Sequence, residues 1–82
     1  MIYLLDTNTC ISYINRKNMS VYQHIITLSP EEVGICDIVK FELYYGAYHS
    51  SRVEENLENL RKFFGDFVSL PFGDRVSRLP KF

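Results

Sequence analysis

The run Ile2-Tyr3-Leu4-Leu5 is apolar throughout, too short for a helix, and ends on a carboxylate, Asp6, with Thr7-Asn8-Thr9 behind it. A strand without polar alternation is buried on both faces, the habit of parallel sheets. Parallel strands in turn require long crossover connections, usually helical and right-handed. A carboxylate closing such a strand is costly unless a cation or hydrogen-bond donors meet it. The first six residues therefore constrain both the architecture and the place where chemistry is to be sought.

The rest of the chain supplies the crossovers. Thr7 or Asn8 is expected to cap a helix running through Lys17, with Ile11 and Ile14, and with them Cys10 and Tyr13, facing inward. After the polar break Asn15–Asn18, the residues Val21, Ile25 and Leu28 recur at helical spacing. Ser29-Pro30-Glu31-Glu32 matches a capping pattern, but Val33-Gly34 reads as entry to a strand, so a turn and then a short strand over Val33 to Cys36 are expected. Asp37 is expected to cap the next helix, with Ile38, Phe41 and Tyr45 or Leu43 inward and its end near Gly46. Ser51-Arg52-Val53-Glu54 reads as a capping box for a further helix with an apolar stripe of Val53, Leu57, Leu60 and Phe63 or Phe64, stopped by Gly65. Phe67 to Leu70 reads as a third strand. The order is strand, two helices, strand, two helices, strand: an α/β domain.

Composition narrows the partners. A net charge of −1 excludes tight nucleic-acid binding by electrostatics alone, which needs a clear basic excess; the basic spots are Arg16-Lys17 and Arg75, Arg78 and Lys81. Brief contact with RNA by an enzyme is compatible with this balance. No apolar run approaches the ~18 residues of a membrane span, and the start lacks a basic signal-peptide region. A cytoplasmic protein with two reduced, buried thiols, Cys10 and Cys36, is expected. His24 and His49 are expected on the surface, and no Cys or His spacing resembles a zinc site.

Ligands of open α/β sheets gather beyond the carboxyl ends of the strands. Asp6 ends the first strand and Glu42 stands about one and a half turns into the helix after the second, so both can face one crevice. Two carboxylates without a cation between them repel, which raises a pKa or attracts a divalent ion. Hard oxygen donors suit Mg²⁺ or Mn²⁺, and such an ion can activate water for phosphodiester cleavage. The plain alternative is that Asp6 only caps the helix beside it. Lys40 lies roughly 200° around the helix from Glu42 and is expected to reach solvent or a partner.

The stretches "YLLDTNTCISYI" and "VGICDIVKFELYYGAYHS", with "FVSLPF" further on, resemble the PIN-domain ribonucleases of the VapC toxin type, over residues 1–72. The resemblance implies a PIN-like three-layer fold with a parallel sheet, here its N-terminal half with about three strands and four helices. It implies a cytosolic Mg²⁺- or Mn²⁺-dependent endoribonuclease held inactive by a cognate VapB-like antitoxin. Asp6 then binds metal and acts in catalysis, Glu42 is a second member of the acidic cluster, and Asn8 supports the site by hydrogen bonding. The chain departs from the family after Phe72: "LPFGDRVSRLPKF" diverges, so residues 73–82 form a basic tail. Gly73 stands where relatives often have an acid, and Asp74 is the one acid after Asp66. In the family the first strand lies mid-sheet, so "MIYLL" is expected to be an exposed hydrophobic edge that drives homo-oligomerisation or leaves the site to be completed across subunits. A second reading is a non-catalytic antitoxin-binding module, with Phe41, Tyr44, Tyr45 and Tyr48 as its interface.

Overall fold

A computed structural model describes residues 2–81, with Asp74 by its backbone alone. The elements are β1 (Tyr3–Leu4), α1 (Thr7–Asn15), α2 (Met19–Ile26), a 3₁₀ turn (Pro30–Glu32), β2 (Val33–Cys36), α3 (Asp37–Tyr48), α4 (Val53–Asp66), β3 (Val68–Leu70) and α5 (Asp74–Ser77). The three strands form one parallel sheet in the order β1-β2-β3, the α/β architecture expected.

β2 is buried along its whole length and carries both neighbours, pairing Tyr3 with Val33, Leu4 with Gly34, Gly34 with Val68 and Cys36 with Leu70. Side chains alternate across a sheet, so Val33 and Ile35 face one side and Gly34 and Cys36 the other. The first side meets the main core, where Leu5, Cys10, Ile25, Val33, Ile35, Leu43, Ala47, Leu60 and Phe63 form one cluster spanning all four long helices. On the second side a Cβ at residue 34 would stand 2.5 Å from Leu70 Cδ1 and 2.9 Å from Ile2 Cγ2. Only glycine leaves room there for the flanking strands' side chains to meet over β2.

Several local expectations are corrected. α1 begins at Thr7 with Asp6 as its N-cap, and ends at Asn15 because Arg16 adopts a left-handed conformation at φ 52°. Its guanidinium lies 5.0 Å over the Tyr22 ring, a contact that offsets the backbone cost. Cys10 is wholly buried on α1, while Ile11 turns outward. Asp37 does not cap α3; it is that helix's first residue, behind Cys36, where a carboxylate still favours the positive helix end. α3 continues through Gly46 to Tyr48 and buries Leu43 and Ala47, leaving Ile38, Phe41 and Tyr45 exposed. Its sequence offers two apolar stripes, and the one carrying Leu43 and Ala47 is the one buried in the core. The Ser51 box is not formed either. Arg52 precedes α4 without a side-chain cap, and Asn56 instead donates to Ser50 Oγ at 2.8 Å, which donates to the Ala47 carbonyl at 2.6 Å. α4 runs one residue past Gly65, to Asp66. His24 and His49 are exposed and both cysteines are free and buried, as expected.

The expected bare edge at β1 is also corrected. After β3 the chain forms α5 and returns beside β1, where Leu4 N–H donates to the Pro80 carbonyl at 2.9 Å and Leu4 forms a parallel bridge with Lys81. Leu4 and Leu5 are buried. An unpaired strand edge recruits any extended segment that can satisfy its donors, and the tail does so. Met1 of that edge, and the Asp74 side chain, lie outside the described residues.

Two outcomes follow. Gly34→Val should lower unfolding stability by about 1–3 kcal/mol through overpacking, measured by urea denaturation, with Gly65→Ala near neutral. Deleting residues 73–82 should uncover β1, and sedimentation velocity at micromolar concentration should then show more association than for the full chain.

Candidate active site

Asp6 owes its position to two backbone contacts. Leu5 N–H donates to the Gly34 carbonyl at 3.1 Å, fixing the end of β1 on β2, and the Asp6 carbonyl accepts from Cys10 N–H at 3.0 Å, opening α1. Its backbone is extended, φ −81° and ψ 172°, and its Oδ1 accepts from Thr9 N–H at 2.7 Å. Thr9's backbone N–H, then its side chain, and then the more distant charge of Lys81 hold the carboxyl below its ordinary 3.8 against a small desolvation penalty. The plain reading, helix capping, is thus present in the structure. It does not exclude a second role, because the side chain remains exposed.

Glu42 reaches the same region from α3: its Oε1 accepts from Thr7 Oγ1 at 3.1 Å. Thr7 directly follows Asp6, so the glutamate is tied to the first turn of the helix that Asp6 caps. Asn8, the expected supporting amide, is exposed on that turn. The expectation that both acids face one crevice is corrected here: the two carboxylates line different hollows. Asp6 borders a cavity of about 190 Å³ with Leu4, Cys36, Val39, Val76 and Lys81. Glu42 borders a groove of about 220 Å³ between α1, α3 and α4, with Ile11, Asn15, Asn56 and Asn59. Among the described residues, no three His, Cys, Asp or Glu side chains are grouped to hold a metal ion. The donors themselves fit a hard divalent cation, since Mg²⁺ commonly takes one or two carboxylates and completes its shell with water.

Residues singled out nearby divide cleanly. Lys40, half-buried, donates to Ser69 Oγ on β3 and sits 5.2 Å over the Phe64 ring, so it braces α3 against β3 at the surface. Phe41, Tyr45 and Tyr48 are 70%, 58% and 62% exposed, whereas Tyr44 packs on Phe64 with ring centroids 5.3 Å apart. Three of the four interface candidates are thus free to meet a partner. Cys10 is no nucleophile: burial pushes its thiol up to about 12. Thr7, Thr9 and Lys81 border these acids as well, beyond the residues that the motifs single out. A hydroxyl on each side of Asn8 was a usable signal for the threonines; for Lys81 the sequence carried none.

Capping and metal binding make opposite demands on substitution. Asp6→Ala should cost about 1 kcal/mol of stability while Asp6→Asn, an equally good cap, should be near neutral, measured by thermal or urea unfolding. The charge-dependent part has a defined window. The folded carboxyl titrates below 3.8, so its contribution is complete above that pH and is lost as pH falls through the lower folded value.

No family model matches the chain. Individual proteins do. It is 36% identical over 78 residues to ribonuclease VapC2 of Rickettsia felis, covering 94% of this chain and 58% of the relative. Its fold superposes on the crystal structure of VapBC2 from Rickettsia felis bound to a DNA fragment from their promoter, with TM-score 0.79, 32% identity, and 94% and 59% of the two chains covered. DNA-bound VapBC from Salmonella typhimurium gives TM-score 0.79 at 30% identity, with 94% and 58% covered. The chain spans somewhat under three fifths of the length of the relatives it matches. It is a homologue of the VapC toxin PIN domain, matching the N-terminal part of that fold.

Proposed function

We propose that this chain is a VapC-type endoribonuclease of a cytoplasmic toxin–antitoxin pair, hydrolysing RNA phosphodiester bonds with Mg²⁺ or Mn²⁺ held by Asp6 and Glu42. The observation that carries the reading is the Thr7–Glu42 hydrogen bond, which draws an acid 36 residues away in sequence (42 minus 6) to the helix start that Asp6 caps. The similarity to a ribonuclease of Rickettsia felis supports the same reaction class.

When bound, the cation would offset charge on the scissile phosphate and lower the pKa of a water. The chain's own residues do the positioning. Thr9 N–H bonds Asp6 Oδ1 and Thr7 Oγ1 bonds Glu42 Oε1, which restrains both carboxylates. Asp6, whose carboxyl is held below its ordinary 3.8, is ionised at neutral pH. Asn8, exposed on the same first turn, is the proposed supporting amide. With a net charge of −1, the protein does not hold RNA by bulk electrostatics, and a transient encounter is what turnover needs.

Asp6→Ala and Glu42→Ala should each lower cleavage of a structured RNA in Mn²⁺ at least about 100-fold, a first-rank electrostatic loss. Thr7→Val should lower it less and raise the Mn²⁺ concentration giving half-maximal rate. Equal residual cleavage in the parent chain and both acid variants would overturn the proposal.

A second reading, an antitoxin-binding module without catalysis, is favoured by the outward face of α3. Ile38, Phe41, Tyr45 and Tyr48 lie on one side and are all exposed, an apolar stripe of the kind interfaces bury. The solved neighbours are VapBC complexes, and a VapB-like antitoxin is the proposed occupant, with a second copy of the chain as the competing one. Phe41→Ser with Tyr45→Ser should weaken a co-expressed complex more than tenfold by isothermal titration while leaving RNA cleavage unchanged. Cleavage-deficient parent protein that still binds would select this reading.

A further inference from the structure

We propose that the segment after β3 is an internal strap that presents the Lys81 ammonium to Asp6 and competes there with the divalent cation. The inference rests on the reading of Asp6 as a ligand. Two observations carry it. The strap is seated by backbone pairing: Leu4 N–H donates to Pro80 at 2.9 Å and Leu4 bridges Lys81 in parallel, which sets Lys81 beside β1 two residues before the strand's carboxylate. The strap is also seated by packing, since Val76 and Phe72 share with Leu4, Cys36 and Val39 the cavity that Asp6 and Lys81 both border.

The physical consequence is competition rather than a structural bond. A carboxylate with a neighbouring ammonium has part of its charge already neutralised, and the ammonium repels an incoming divalent ion. At a solvated surface, one unit charge a few ångströms away alters cation binding roughly three- to tenfold, and salt weakens the effect. Backbone pairing holds the strap in place without using the lysine side chain, so the charge can be removed while the strap stays.

Mn²⁺ binding to the full chain, followed by electron paramagnetic resonance of the free ion, tests this directly. Lys81→Met should tighten binding about three- to tenfold, Lys81→Arg should leave it unchanged, and Lys17→Met, which removes a charge beyond the far end of α1, should change it less than twofold. Asp6→Asn should abolish the site. If Lys81→Met binds no more tightly than Lys17→Met, the strap is not a competitor, and the reading of Asp6 as a ligand stands. If Asp6→Asn binds like the parent, or no form binds, both fail.

Discussion

Everything in this fold is referred to β2. Among the described residues it is the central strand of the three, it is buried on both faces, and a glycine in its middle lets the side chains of the outer strands close over it. Parallel strands cannot be joined by tight turns, so fixing β1 and β3 on β2 forces the chain out into two helical crossovers. Those crossovers return the starts of α1 and α3 to one end of the sheet. The candidate site exists because the sheet register brings those two helix starts together.

At that end, one aspartate serves the fold and the proposed chemistry at once. Its hydrogen bond from Thr9 stabilises the first turn of α1 and also holds the carboxylate ionised. A carboxylate satisfied in this way needs no metal in order to be tolerated, which removes the argument that a charge ending a buried strand implies a cation. What points to a site is the second acid. Glu42, exposed on α3, accepts a hydrogen bond from Thr7 at the start of α1.

The segment after β3 changes the balance of the molecule. A three-stranded sheet ending at β1 would offer unpaired donors and apolar side chains to any passing strand. Here the chain itself returns to that edge, and the exposed apolar surface moves to α3, where Phe41, Tyr45 and Tyr48 stand outward. Association, if driven by apolar burial, is therefore directed to a helix face rather than to a strand edge.

The sequence by itself determined what is local. The apolar runs placed three strands within a residue or two, the stripe of Leu57, Leu60 and Phe63 placed α4, and Asp6 was found at a strand end because the run before it is uninterrupted. It also brought Asp6, Asn8 and Glu42 into consideration through short motifs. Only the tertiary structure decided which of two apolar stripes on α3 turns inward, that Arg52 rather than Ser51 precedes α4, and that Thr7 bonds Glu42 while Lys81 pairs with Leu4. Helical and strand periodicity are set by neighbouring residues, whereas these contacts join residues dozens of positions apart. They are fixed by strand register and by how closely small side chains let helices pack, quantities that no single stretch of sequence carries.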